Sequence, residues 1–272
     1  MEVNLTKNAI KLRLANALRA KFENYKPETS CMPFHTRLLG KDRMALYSFI
    51  QSLNTNFGTS IFEPVAEELG HCCFDIIERQ KEVGNIITKE AQRVIQDIMD
   101  SLESGNSKPN KNDEVRRILD VAQSGEISTI KPTKVDLFLQ RGNNAYFIDI
   151  KTAKPNKGGF KEFKRTLLTW VACYAYVNPQ VNIHSLIAIP YNPYEPKPYE
   201  RWTMAGMFDL NFELKVAKEF WDFVGGTGSY EIILDSFEEV GLEMRNEIDE
   251  YFKKFQLIRL FFFDKKCNEI LK

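Results

Sequence analysis

The chain has 272 residues, 43% of them hydrophobic and 27% charged. This is enough apolar material for one sizeable core, in the mixture typical of an ordinary globular protein. Lys plus Arg equals Asp plus Glu at 37 each. A uniformly basic surface is therefore excluded, and any nucleic-acid contact must come from a local patch. The five cysteines are odd in number and contain no C-x-x-C pair, so neither a disulfide framework nor a structural zinc site is expected. No signal-like start and no apolar run near the ~20 residues that span a bilayer are present. The expectation is a cytoplasmic protein.

Residues 1–104 read as a mainly helical portion. Ile10, Leu14, Ala17 and Leu18 share one helical face, and Leu46, Phe49, Ile50 and Leu53 share another, in a helix ending near Gly58. A third helix carries Ala91, Val94, Ile95, Ile98 and Leu102. Residues 105–113 are polar and aperiodic, a predicted surface linker before a short helix from about residue 114 to 122. The texture then changes. Residues 135–140 and 145–151 alternate like strands around a turn at 141–144, residues 159–177 read as a helix, and 185–191 as a further strand. A Pro/Tyr-rich segment follows. A mainly helical portion, 201–272, closes the chain: one helix ends at Gly225-Gly226, and another bears Met244, Ile248, Tyr251, Phe252 and Phe255. The order predicts a single α/β domain over 1–272, with a catalytic core at 114–200, a central mixed sheet flanked by helices and a helical N-terminal portion.

The chemistry concentrates at the end of the second predicted strand. Asp149 and Lys151 are two residues apart and so share a face. An even-length loop centred on Gly142-Asn143 would place Asp136 directly across from Asp149, with Cβ atoms about 5 Å apart. Facing carboxylates repel, and a divalent cation relieves the repulsion. Mg²⁺ accepts one or two carboxylates and keeps several waters. The Lys151 ammonium can stabilise developing negative charge on a phosphate or a hydroxide. The same pattern also fits a surface strand with one polar face.

Beyond Lys151, the residues Lys154, Lys157, Lys161, Lys164 and Arg165 stand against one acid, Glu162. They read as phosphate contacts, or as a solvated lysine-rich turn; Asn156 joins them as a DNA-binding candidate. Ser60 and Glu63 have capping-box spacing, so Glu63 either caps a helix or reaches the site, with Glu67 as substitute. Tyr191, Asn192, Tyr194 and Arg201 are base-reading candidates, although packing of a long loop accounts equally for the aromatic residues. His35, His71 and His184 lack metal-ligand spacing.

Asp136 followed by Asp149-Ile150-Lys151 resembles the PD-(D/E)xK nuclease motif, with Val135 where the family's loosely kept proline stands. The runs DIKTAKPNKGGFKEFKRTLLTW, FGTSIFEPVAEELG and AIPYNPYEPKPYERW are similar to segments of the TdeIII family of type II restriction endonucleases. The resemblance implies a restriction-endonuclease-like core and Mg²⁺-dependent hydrolysis of double-stranded DNA at a short palindromic, GGNCC-type site. It implies Asp136, Asp149 and the Ile150 backbone carbonyl as metal ligands, Lys151 as the catalytic lysine and Glu63 as the helix-borne acid. A homodimer is expected for a palindromic site, with a cognate DNA methyltransferase as genetic partner. The rival readings are a repair or structure-specific nuclease on the same core, and a non-catalytic DNA-binding protein.

Overall fold

The computed structural model describes residues 2–26, 32–151, 159–200 and 204–254. The chain divides into two compact units, Met1–Ile61 with Ile232–Lys272, and Phe62–Glu231. The first contains α1 (Glu2–Asn24), α2 (Pro33–Leu39), α3 (Lys41–Phe57) and most of α9 (Ser229–Glu243), with helical backbone again over 245–254. Its apolar cluster joins Ala45 and Phe49 of α3 to Tyr251, with Phe22, Tyr25, Leu53 and Phe252 packed around them. Phe255 lies outside the described residues.

The second unit is built on a five-stranded mixed sheet in the order β1-β4-β5-β6-β7. The strands are β1 (Ile76–Glu82), β4 (Lys134–Arg141), β5 (Asn144–Ile150), β6 (Asn182–Ile189) and β7 (Leu214–Val216). The pairs β1/β4 and β4/β5 are antiparallel, and β5/β6 and β6/β7 are parallel. Two short strands, β2 (Ile86–Thr88) and β3 (Ile127–Thr129), form a separate ribbon. The central strands are apolar on both sides: Val135, Leu137, Leu139, Ala145, Phe147 and Ile148 are all fully buried. A sheet covered on both faces needs such runs.

The parallel step from β5 to β6 passes through α7 (Phe160–Val177), as a parallel pair requires. α7 buries Leu167, Leu168, Trp170, Val171, Ala172 and Ala175 in the main core. α5 (Lys89–Glu103) and α6 (Lys111–Leu119) pack against it. α5 starts where Thr88 accepts a hydrogen bond from the Ala91 N–H at 3.1 Å. α4 (Glu63–Gly70) lies against β1, β4 and α8 (Lys218–Gly225). No helix among the described residues is long and apolar enough to cross a membrane.

One predicted boundary changes. The helix expected from about residue 114 starts at Lys111, because Asn110 is its N-cap and accepts from the Asp113 N–H at 3.0 Å. The end of the predicted linker is therefore folded, and Lys111 is only 5% exposed. The mainly helical reading of 1–104 also missed β1. Its sequence, IIERQKE, is largely exposed and has no regular apolar alternation, so it carries no strand period.

Candidate active site

β4 and β5 form a hairpin whose two-residue turn is Gly142-Asn143. Gly142 has φ +54°, the first-position geometry that favours glycine in a type II′ turn. The turn sets the register from Arg141 opposite Asn144 to Leu137 opposite Ile148. One step further along the strands brings Asp136 level with Asp149. Asp136 is tied to the end of β5 there, since the Ile150 N–H donates to Asp136 Oδ2 at 2.8 Å.

Asp149 is only 7% exposed. Lys151 Nζ lies 2.6 Å from Asp149 Oδ1 and sits over the Phe163 ring, 4.7 Å from its centroid. The Lys151 N–H donates to the Ala188 carbonyl at 2.9 Å, which fixes the start of the lysine against β6. Gly159 allows Phe163 its position at the start of α7, because a Cβ there would stand 2.8 Å from the ring. Burial pushes the Asp149 carboxyl up to about 7; the Lys151 ammonium opposes that shift, and Asp136 adds to it by charge and hydrogen bonding.

Glu63 opens α4 and is 2% exposed. The N-cap of that helix is Phe62, with no side-chain capping bond, and α4 continues directly from a π-helical turn, Gly58–Phe62. The capping reading of Glu63 therefore fails. Its Oε2 accepts from Gln80 Nε2 at 2.9 Å, and the same amide lies 3.3 Å from Asp136 Oδ1. Burial raises the Glu63 pKa above the usual carboxylate value; Gln80, Arg79 and Lys151 oppose this while Asp136 adds to it. Glu67 is instead held by Arg79, with Nε to Oε2 at 2.8 Å.

Three carboxylates, one ammonium and one carboxamide thus meet where β1, β4, β5 and α4 come together. No group of three or more His, Cys, Asp and Glu side chains among the described residues is arranged to hold a metal ion. The donor set that could is the Asp136–Asp149 pair with the adjoining Ile150 carbonyl. Two facing carboxylates, one of them buried and pushed towards protonation, fit a hard divalent cation with oxygen preference.

The basic segment gives a mixed picture. Lys154, Asn156 and Lys157 lie outside the described residues. Lys161 is exposed and pairs with Glu103 at 2.7 Å. Arg165 is half-buried. Lys164 is a correction: its side chain is fully buried in α7 and bridges Glu114 at 2.5 Å and Glu213 at 2.6 Å. An ammonium enclosed between two glutamates cannot reach a DNA phosphate. Lys111, 2.8 Å from Glu213, completes that cluster.

The loop after β6 begins at the same end of the sheet as Lys151, because Ile150 pairs with Ala188. Tyr191 is exposed in it. Asn192 spends its side chain within the loop, donating to the Lys197 carbonyl at 2.7 Å and accepting from the Tyr194 N–H at 3.0 Å. Tyr194 packs on Tyr199 with ring centroids 5.8 Å apart. Arg201 lies outside the described residues. Gln80 is the site residue that sequence reasoning missed. The signal was its place level with Asp136, which is legible only once 76–82 is known to be a strand.

A family model described as "Type II restriction endonuclease, HinfI" matches residues 3–241. The chain belongs to this family. This restriction endonuclease is 26% identical over 221 residues to the type II restriction enzyme HgiCII of Herpetosiphon aurantiacus, covering 79% of this chain and 80% of the relative. It is 26% identical over 226 residues to HgiEI of the same organism, covering 80% of each chain. Against MjaII of Methanocaldococcus jannaschii, identity is 23% over 253 residues, covering 82% of this chain and 67% of the relative. The matched relatives are all named as type II restriction enzymes, so this is a site-specific deoxyribonuclease, and the mixed sheet flanked by helices is its restriction-endonuclease-like core.

Proposed function

We propose that this enzyme is a Mg²⁺-dependent nuclease of the narrower TdeIII kind, cutting double-stranded DNA at a short palindromic, GGNCC-type sequence. It works as a homodimer in the cytoplasm beside a cognate DNA methyltransferase. The observation that carries the reading is the meeting of Asp136, Asp149, Lys151 and Glu63 at one sheet end. Asp136, Asp149 and the Ile150 carbonyl would hold the ion.

A divalent cation in this position supplies Lewis-acid polarisation and neutralises phosphate charge. The protein groups do the rest. Lys151 Nζ, held by Asp149 and the Phe163 ring, faces the negative charge that develops as water attacks the phosphorus. Glu63, its carboxyl pKa raised by burial, takes up the proton of the attacking water; the phosphorus bond to the departing deoxyribose oxygen breaks, and solvent water protonates that oxygen. Asp136 is oriented by the Ile150 N–H. Lys154, Asn156, Lys157, Lys161 and Arg165 contact the DNA backbone, and Tyr191, Asn192, Tyr194 and Arg201 are candidates for reading the bases.

The test is digestion of a plasmid of known sequence with Mg²⁺, with mapping of the ends, beside Lys151→Ala. Discrete fragments ending at one palindrome support the reading, provided the variant loses them. Cleavage confined to flaps, junctions or free ends identifies a repair nuclease instead. Binding without any cleavage identifies a non-catalytic DNA-binding protein.

A further inference from the structure

We propose that Gln80 is a positioning residue of this site, whose carboxamide holds Glu63 and Asp136 at the spacing the reaction needs. The inference rests on the nuclease reading above and extends it to a residue outside the Asp-Asp-Lys motif.

The first observation is a local break in a regular ladder. β1 pairs with β4 from Ile76 opposite Gln140 to Arg79 opposite Leu137, and again at Lys81 opposite Val135 and Glu82 opposite Lys134. The register is the same on both sides of the break, so no residue has been inserted as in a bulge. The position left unpaired is Gln80, level with Asp136. Its φ is +52°, in the left-handed region that a glutamine rarely adopts. Gln80 is exposed, so no core packing accounts for that backbone.

The second observation is where the break aims the side chain. Gln80 Nε2 lies 2.9 Å from Glu63 Oε2 and 3.3 Å from Asp136 Oδ1. Both neighbours are carboxylate oxygens, which only accept when ionised, so the amino end of the amide must face them. Its two N–H groups serve one carboxylate each. The amide joins a helix residue to a strand residue across a gap where two acids would otherwise repel. It adds no charge, and so it leaves the carboxylates able to take a cation. A lysine or arginine in the same place would compete with the ion. Strained backbone that serves no packing and delivers one side chain to a reactive centre is the pattern of a functional constraint.

The experiment uses the full chain. Gln80→Gly accepts the left-handed backbone freely and deletes the amide together with its exposed stem. Gln80→Asn also tolerates that backbone but carries a shorter amide, able to reach one carboxylate. Mg²⁺ is titrated into DNA-free protein by calorimetry, and cleavage is resolved into kcat and KM. Loss of a group that orients metal ligands costs roughly 10–100-fold in metal affinity or activity. For Gln80→Gly the expected result is therefore a rise in half-saturating Mg²⁺ and a fall in kcat, each of about that size. KM for DNA and the melting temperature stay near the parent values. Gln80→Asn falls between the two. Parent-like Mg²⁺ binding and kcat in Gln80→Gly overturn the proposal and leave the nuclease reading standing. Lower melting temperatures with unchanged Mg²⁺ binding make Gln80 merely structural and also overturn it. A parent that neither binds Mg²⁺ nor cleaves DNA overturns the nuclease reading, and this proposal with it.

Discussion

Lys151 Nζ stands 2.6 Å from Asp149 Oδ1, with the two residues on one side of the end of β5. The contact holds the ammonium beside the carboxylate pair. Lys151→Ala is therefore expected to lower the cleavage rate by about 10²–10³-fold, the usual cost of removing one preorganised charge-stabilising group. DNA binding without Mg²⁺ should change little. Single-turnover cleavage and gel-shift titration separate the two effects. Chelation of divalent ions should abolish parent cleavage, and added Mg²⁺ should restore it.

Asp149 is a buried acid facing another acid, an arrangement that raises its pKa and costs the fold stability. Asp149→Asn removes the repulsion while keeping the shape. The expected protein is inactive and more stable by about 1 kcal/mol in denaturant unfolding, in line with the usual stability–activity trade-off. A less stable Asp149→Asn protein would contradict this account of the pair.

The cluster of Lys111, Lys164, Glu114 and Glu213 is the opposite case. Every member is at most 5% exposed and every charge has a partner. Removing one member leaves a buried charge short of a partner. Lys164→Met should destabilise the fold by about 3–5 kcal/mol. Urea unfolding monitored by circular dichroism measures it; a neutral result would return Lys164 to the surface-facing set.

The same cluster sets an acid limit. Burial alone would raise Glu213, but Lys111 and Lys164 outweigh it and hold the carboxyl below its ordinary value of 4.5. A depressed carboxylate pKa stabilises the fold above the unfolded-state value, and that stabilisation drains away as pH falls through the folded-state value. Stability should thus be level with respect to Glu213 above about pH 5 and drop progressively below 4.5. In Glu213→Gln the acid-side drop should be shallower, on a lower plateau. Melting temperatures across pH 3 to 7 test the sign.

Lys161 is exposed, and its pair with Glu103 leaves it open to exchange for a phosphate. Lys161→Ala should weaken binding to all DNA sequences alike and reduce the salt slope of log K by roughly 1. Fluorescence anisotropy at several salt concentrations gives the slope. A loss confined to the cognate sequence would assign the residue to base reading.

The hairpin that carries Asp136, Asp149 and Lys151 could be read from the sequence by itself. Alternation along two short strands and a glycine-containing two-residue turn fix a register through contacts that are all local. The helices with clear apolar faces, α3, α5 and α7, were legible for the same reason. Tertiary structure alone decided β1, the place of Gln80 and the burial of Lys164. β1 is an edge strand whose ladder to β4 joins segments far apart in the chain, and its exposed, charge-rich sequence has no period of its own. Without β1, neither the position of Gln80 nor the approach of Glu63 to Asp136 could be derived from residue spacing. Lys164 has the chemistry of a surface residue, and its burial depends on Glu114 and Glu213, supplied by elements distant in sequence. Periodicity and turn geometry act over a few residues, whereas the partner of a charge is chosen by the whole fold.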